Sequence, residues 1–168
     1  MVNGERHGAA GRPFAVHHSL LLRLGWLFPL TYAAHVLEEW RGGDGFPAWF
    51  SRLTGAGLTE ARFLALNEAA LVGMAVGVAL AYAVRELRWL LVSFAAAVTI
   101  NGLAHLTATL ATRTYSPGVV TGTLVWLPLG ATVLAAGRRA LSRRAFAAGL
   151  VVGVVLHAAV LVLAFAGR

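Results

Sequence analysis

Residues 20–40 read LLLRLGWLFPLTYAAHVLEEW, a mostly apolar run that ends in one histidine and two glutamates. A run of roughly 20 apolar residues is long enough to cross the hydrocarbon core of a bilayer as an α-helix. His35, Glu38 and Glu39 follow the spacings i, i+3 and i+4, so their side chains share one face of that helix. Because ionisable groups are costly in hydrocarbon, we expect this face to meet protein or water and not lipid.

The composition extends this interpretation to the whole chain. Of the 168 residues, 58% are hydrophobic and 12% are charged, whereas a soluble domain carries about 25% charged residues. We therefore predict an all-α fold, a single polytopic membrane bundle over residues 1–168 with about five transmembrane helices. Residues 41–60, rich in Gly and aromatic side chains, favour a loop or a short helix in the interface. The predicted membrane helices cover residues 20–40, 61–84, 89–111, 118–137 and 145–167.

The net charge of +7 comes entirely from arginine, because the chain contains no lysine. The arginines form short clusters between apolar runs, which predicts contact with anionic membrane lipids and not with nucleic acid. The positive-inside rule favours a cytoplasmic N-terminus, with nine arginines on that side and five on the other. The nine are Arg6, Arg12, Arg23, Arg85, Arg88, Arg138, Arg139, Arg143 and Arg144. Arginine without lysine is typical of a GC-rich bacterial genome, so we expect a multi-pass protein of the bacterial plasma membrane.

This topology brings polar residues from distant parts of the chain into one half of the bilayer. The second helix carries Asn67 and Glu68, and the third carries Asn101 and His105, four residues apart on one face. Intramembrane ionisable groups usually face a protein interior or a watery cavity. We therefore predict one shared site. Its candidate members are His35, Glu38, Glu39, Glu68, Asn101, His105 and Tyr115, whereas His157, slightly outside the middle of the fifth helix, is predicted to be structural.

Three motifs carry a resemblance to a known family. They are HVLEE at residues 35–39, NGLAH at 101–105 and YSPG at 115–118. In this order they resemble the signature motifs of the HXXEE-motif family of small prokaryotic integral membrane proteins, for which no activity is established. The resemblance implies that His35, Glu38, Glu39, Asn101, His105, Tyr115, Pro117 and Gly118 form the family pattern. HVLEEW is also similar to the histidine–glutamate helix of the EXPERA sterol isomerases, which suggests acid–base chemistry in an intramembrane cavity by analogy alone.

The first functional hypothesis is a metal site. The chain has no cysteine, so a metal must be held by His, Glu, Asp or Asn. A catalytic zinc needs three protein ligands and one position open to water. His35, His105 and either Glu39 or Glu68 satisfy that count, and we favour Glu39. Another glutamate would then act as general base, and Asn101 or Tyr115 would polarise the substrate.

Two other hypotheses remain open. In a metal-free site, a buried glutamate and a neighbouring histidine could perform acid–base isomerisation, cyclisation or hydrolysis on a lipophilic substrate. In a non-enzymatic protein, the cluster could bind a cation or a proton in transit through an oligomeric pore or carrier, which would make the chain a homo-oligomer. We predict an enzyme that acts on a lipid or isoprenoid-like small molecule. The pattern does not decide between zinc and metal-free chemistry.

Overall fold

The structure is a computed structural model that describes residues 12–166, with side chains from His17 onward. All regular elements in this part of the chain are helical, and five stretches are long and apolar enough to cross a membrane. The prediction of a polytopic helix bundle is confirmed. The helices are α1 (Arg12–Gly25), α2 (Leu27–Arg41), α3 (Phe46–Thr54), α4 (Glu60–Ala83), α5 (Trp89–Thr112), α6 (Val119–Thr121), α7 (Leu127–Ala140) and α8 (Arg143–Phe165), with a 3₁₀ turn at Arg85–Leu87 and a π-helical turn at Gly122–Trp126.

The first span is made of two helices and not of the single helix predicted over 20–40. It extends from His17 to Arg41 and is interrupted at Trp26, between α1 and α2. Pro29 lies in the first turn of α2 and has no backbone N–H to continue the hydrogen bonds of α1. The break therefore falls nine residues before His35, which lies in α2.

Helix α5 forms the centre of the bundle and packs most extensively against α8 and α7. Two glycines of α8 allow this close contact. A Cβ atom added to Gly149 would lie 2.8 Å from the carbonyl oxygen of Trp89, and one added to Gly153 would lie 2.5 Å from that of Ser93. Small residues let transmembrane helices approach backbone to backbone, because little dispersion contact is gained when large side chains hold helices apart.

Residues 41–60, predicted as a loop or a short interfacial helix, contain the short helix α3. Its first residue follows Gly45, whose φ of 82° suits glycine, and Pro47 occupies the first turn, where no N–H is required. The aromatic rings of Phe46 and Phe50 point into the bundle, where Phe46 lies 5.9 Å from Phe63 of α4 between ring centroids. Helix α3 thus covers one end of the space between α2, α4, α5 and α8.

The fourth span begins with an irregular stretch. Gly118, with a φ of 99°, precedes α6, and the π-helical turn Gly122–Trp126 joins α6 to α7. Such wider turns occur as insertions in α-helices and are frequent at functional sites. Here the turn directs the indole of Trp126 inward, where it is 1% exposed.

Candidate metal centre

Three buried side chains meet between α2 and α5. Nε2 of His105 lies 3.2 Å from Oε1 of Glu39, and Nε2 of His35 lies 3.6 Å from the same oxygen. His35 is 1% exposed, and Glu39 and His105 are each 5% exposed. One ligand atom from each residue lies within 4.8 Å of the others. The prediction of a His/Glu cluster that could bind a metal is confirmed.

The second ring nitrogen of each histidine has its own hydroxyl partner. Nδ1 of His35 lies 2.7 Å from Oγ1 of Thr121, and Nδ1 of His105 lies 3.0 Å from Oγ of Ser116. In metal sites, such partners orient the imidazole and select its tautomer. Both Nε2 atoms are thereby directed toward Glu39.

Glu38 is the neighbour of Glu39 in sequence but has different partners. Its Oε1 accepts hydrogen bonds from the Tyr115 hydroxyl at 2.8 Å and from the Val120 N–H at 2.9 Å. Its Oε2 accepts from the N–H of Thr121 at 2.7 Å and from the Thr121 hydroxyl at 2.5 Å. The carboxylate therefore caps the first turn of the fourth span, where backbone N–H groups have no helical partner and negative charge is favourable.

Tyr115 lies in the loop between the third and fourth spans, and its ring is 42% exposed. Partial burial, together with the hydrogen bond to the nearby Glu38 carboxylate, raises the pKa of Tyr115 to about 12. The hydroxyl thus remains protonated over the physiological range and donates to Glu38.

Gly118 of the YSPG motif lies directly against the cluster. A Cβ atom at this position would lie 2.9 Å from Cε1 of His35, 2.9 Å from Cε1 of His105 and 3.0 Å from Cγ of Glu39. The left-handed backbone also disfavours any other residue. Glycine is required here for both reasons, because a side chain would push the two imidazoles apart.

Aromatic rings also contact the two imidazoles of the cluster. The indole of Trp126 stacks on the imidazole of His35, with 3.7 Å between ring centroids and 29° between planes. Phe46 of α3 contacts the edge of His105 at 5.6 Å. These contacts restrict both imidazoles to one orientation and exclude water from their faces.

A cavity of about 70 Å³ adjoins the cluster. His35 and Glu39 form part of its wall, and the polar side chains of Tyr32, Asn67, Asn101 and His157 also line it. The rest of the wall is apolar and comes from α3, α4 and α8, together with Leu58 and Trp126. The cavity holds only a few water molecules or one small functional group.

The structure separates the sequence-predicted site residues into three groups. His35, Glu39 and His105 meet, and Asn101 lines the adjoining cavity. Glu38 and Tyr115 pair with each other at the start of the fourth span. Glu68 is exposed on α4 and does not line the cavity, where its neighbour Asn67 is found instead. These placements give geometry for each residue, and their catalytic roles remain predictions.

Sequence reasoning assigned no role to Thr121, Ser116 or Trp126, although each contacts one of the two histidines. Ser116 lies within the YSPG motif, so its position in the sequence could have identified it as a site residue. Thr121 and Trp126 lie in an apolar run where Thr and Trp are ordinary. His157, predicted to be structural, lines the cavity.

The fold and the cluster together define a multi-pass membrane protein with a buried site of two histidines and one glutamate. A family profile described as "Protein of unknown function with HXXEE motif" matches residues 26–133, well over half of the chain. The protein therefore belongs to the HXXEE-motif family, which confirms the predicted family resemblance. No curated protein and no solved structure matches the chain. The likeness to sterol isomerases stays an analogy.

Proposed function

We propose that this protein is a membrane-embedded metalloenzyme in which His35, Glu39 and His105 hold zinc and act on a lipophilic substrate. The observation that carries the proposal is the convergence of three buried ligand atoms within 4.8 Å. Two come from neighbouring turns of α2 and the third from α5. Such a set provides three protein ligands and leaves further positions open, as in catalytic zinc sites.

Unsatisfied acceptors in and beside the cluster support a bound cation. Nε2 of His35 is buried and has no hydrogen-bond partner, although it lies 3.6 Å from Glu39. Oδ1 of Asn101, at the edge of the same cavity, is also buried without a partner. Leaving such a group unpaired costs about 1–3 kcal/mol. A metal would satisfy the nitrogen, and a donor on the substrate or on a water molecule would satisfy the amide oxygen.

The donor set favours zinc over a di-iron centre. Imidazole nitrogens and a carboxylate oxygen are good zinc ligands, whereas a carboxylate-bridged di-iron site generally uses about four carboxylates and two histidines. Within the described residues, Glu39 is the carboxylate that joins the two histidines. When bound, zinc supplies Lewis-acid chemistry that polarises a carbonyl or phosphoryl oxygen and activates water.

The cavity wall supports a route by which a substrate would reach the site. Val160 and Leu161 of α8 line the cavity and are nonetheless 40% and 39% exposed. The wall is therefore open beside α8, a helix whose outer surface is apolar and would face lipid. Because the cavity is only about 70 Å³, a small polar group would enter it while the hydrocarbon part of the molecule stays outside, against α8.

Different residues of the chain would then position the ligands, bind the substrate and transfer protons. Trp126 and Thr121 hold His35 in place, and Asn101 offers an acceptor to a hydroxyl or N–H group of the substrate. His157, which also lines the cavity, is the candidate proton donor or acceptor. Glu38 is engaged in capping, so we do not assign it the general-base role predicted from the sequence.

The arrangement supports conduction of a cation or proton less well. A hydrophobic core that includes Leu21, Phe28, Val78 and Leu91 packs between the spans. A conducting path would need polar groups or water along that length. The cluster instead lies beside a small pocket that opens beside α8.

The test is elemental analysis of the protein purified in mild detergent without an affinity tag. We expect about one zinc per chain in the wild type and in His157→Ala, and less than one tenth of that in His35→Ala and His105→Ala. His157→Ala is the matched control, since it removes an imidazole from the same cavity but not from the cluster. A metal-free wild type that still retains a bound lipid would refute the metal and favour acid–base chemistry. Mass spectrometry of that lipid would then identify the substrate class.

A further inference from the structure

We infer that Thr121 is a positioning residue that holds His35 in the tautomer needed for metal binding, and that Glu38 imposes this arrangement on Thr121. The inference deepens the proposed function and rests on it for the metal. It concerns the two acidic residues of the motif, which have different tasks. Glu39 lies in the cluster, whereas Glu38 acts on His35 through the hydroxyl of Thr121.

The first step is the direction of the hydrogen bond between Thr121 and Glu38. Oγ1 of Thr121 lies 2.5 Å from Oε2 of Glu38. That oxygen also accepts the N–H of Thr121 at 2.7 Å, and Oε1 accepts the N–H of Val120 at 2.9 Å. Backbone N–H groups can only donate, and the positive end of a helix favours a carboxylate, so Glu38 acts as an acceptor. The single hydroxyl proton of Thr121 therefore points to Glu38.

The second step is the proton of His35. Nδ1 of His35 lies 2.7 Å from Oγ1 of Thr121. Because the Thr121 proton is already donated to Glu38, the hydroxyl can only accept from the imidazole. Nδ1 thus carries the proton, and in neutral imidazole Nε2 then carries a lone pair. That lone pair lies beside Oε1 of Glu39, where a metal would be bound.

The third step is the consequence for binding. A metal ligand must present a lone pair to the metal. A His35 ring with its proton on Nε2 would therefore first have to move that proton to Nδ1. Partners of metal-bound histidines commonly change metal affinity by 10–100-fold when they are removed. The indole stacked on His35 holds the plane of the imidazole, so the ring nitrogens stay in that plane. Thr121 is therefore expected to have an effect within that range although it is not a ligand itself.

The first experiment reads the tautomer without metal. Protein labelled with ¹⁵N-histidine is prepared in detergent with chelator, and the His35 signals are assigned by their absence in His35→Asn. We expect a protonated Nδ1 and an unprotonated Nε2 in the wild type and in Thr121→Ser, and loss of this preference in Thr121→Val. Thr123→Val is the matched control, because the Thr123 hydroxyl is buried without a partner in the π-helical turn that directly follows Thr121. A protonated Nε2 in the wild type, or an unchanged preference in Thr121→Val, would overturn the inference.

The second experiment measures zinc affinity by competition with a chromophoric chelator. We expect a 10–100-fold loss in Thr121→Val, near wild-type affinity in Thr121→Ser and no loss in Thr123→Val. Equal affinities in Thr121→Val and wild type would contradict the positioning role. Failure of the wild type to bind zinc would refute the proposed function instead, whereas the tautomer measurement would still decide the hydrogen-bond arrangement.

Discussion

Oε1 of Glu39 lies 3.2 Å from Nε2 of His105, a residue on another span. This contact joins the HVLEE and NGLAH segments in one buried cluster. The third motif completes it, because Gly118 leaves room for both imidazoles and Ser116 contacts His105. The histidine and the second glutamate of the HXXEE motif thus lie in one site, and the first glutamate caps the neighbouring span.

Replacing the shared carboxylate should remove metal while preserving the fold. Glu39→Gln keeps the shape of the side chain but removes the negative charge that a divalent ion requires. We expect loss of at least nine tenths of the bound zinc, with helical content by circular dichroism unchanged. Glu68→Gln is the control, since Glu68 is exposed on α4 and lies outside the cluster. Equal zinc loss in both variants would count against a specific role for Glu39.

Zinc should stabilise the folded protein in detergent. A ligand that binds only the native state contributes about 2.7 kcal/mol at a free concentration 100 times its Kd. We expect Tm to rise with added zinc in the wild type and to remain constant in His105→Ala. Removing the metal with chelator should reverse the rise. An identical rise in both proteins would show that the zinc binds elsewhere.

Gly118→Ala should disturb the cluster by introducing a single methyl group. That carbon would lie 2.9 Å from both histidine rings, and the φ of 99° is unfavourable for alanine. Strain of this kind costs about 1–3 kcal/mol, so we expect a lower Tm and weaker zinc binding. Gly73→Ala is the control, because a Cβ there has no atom within 4 Å. Similar behaviour of the two variants would contradict the described packing.

Glu38→Ala should destabilise the start of the fourth span. It removes the acceptor for the Val120 and Thr121 N–H groups, and loss of a helix cap costs about 0.5–2 kcal/mol. We expect a lower Tm and faster hydrogen exchange at these two amides. If these two amides exchange as slowly in Glu38→Ala as in the wild type, Glu38 does not cap the span in solution.

Tyr115 should titrate above an ordinary tyrosine. Its pKa is raised from 10.0 to about 12 in the folded protein, so its contribution to stability is complete below pH 10 and is lost as the pH rises through about 12. The phenolate absorbance of the wild type minus that of Tyr115→Phe isolates this group. In Glu38→Gln we expect a lower pKa, because the phenolate no longer faces a negative charge. A Tyr115 pKa near 10 in the wild type would refute the described hydrogen bond.

The predicted orientation can be tested at the basic connector between the last two spans. Neutralising Arg138, Arg139, Arg143 and Arg144 together should scramble the topology, since these residues carry much of the charge asymmetry. Reporter fusions at the C-terminus would measure the change. Unchanged orientation would contradict the prediction that these arginines determine the orientation of the protein.

The number and type of helices could be predicted from the sequence because they depend on local properties. Each apolar run is long enough to span a bilayer and must satisfy its backbone hydrogen bonds internally. The shared face of His35 and Glu39 follows from helical periodicity alone. The break at Trp26 was missed because Pro29 is compatible with the first turn of a helix, so its position did not reveal where that helix begins.

The sequence by itself therefore determined a polytopic helical protein, its family and the turns that carry its polar residues. Only the tertiary structure decided which of those residues meet. Glu38 and Glu39 are equivalent by spacing, yet one caps the fourth span and the other lies between two imidazoles. The physical reason is that contacts between spans depend on how helices approach and rotate, which is determined by packing at residues such as Gly118, Gly149 and Gly153 and not by the periodicity of any single helix.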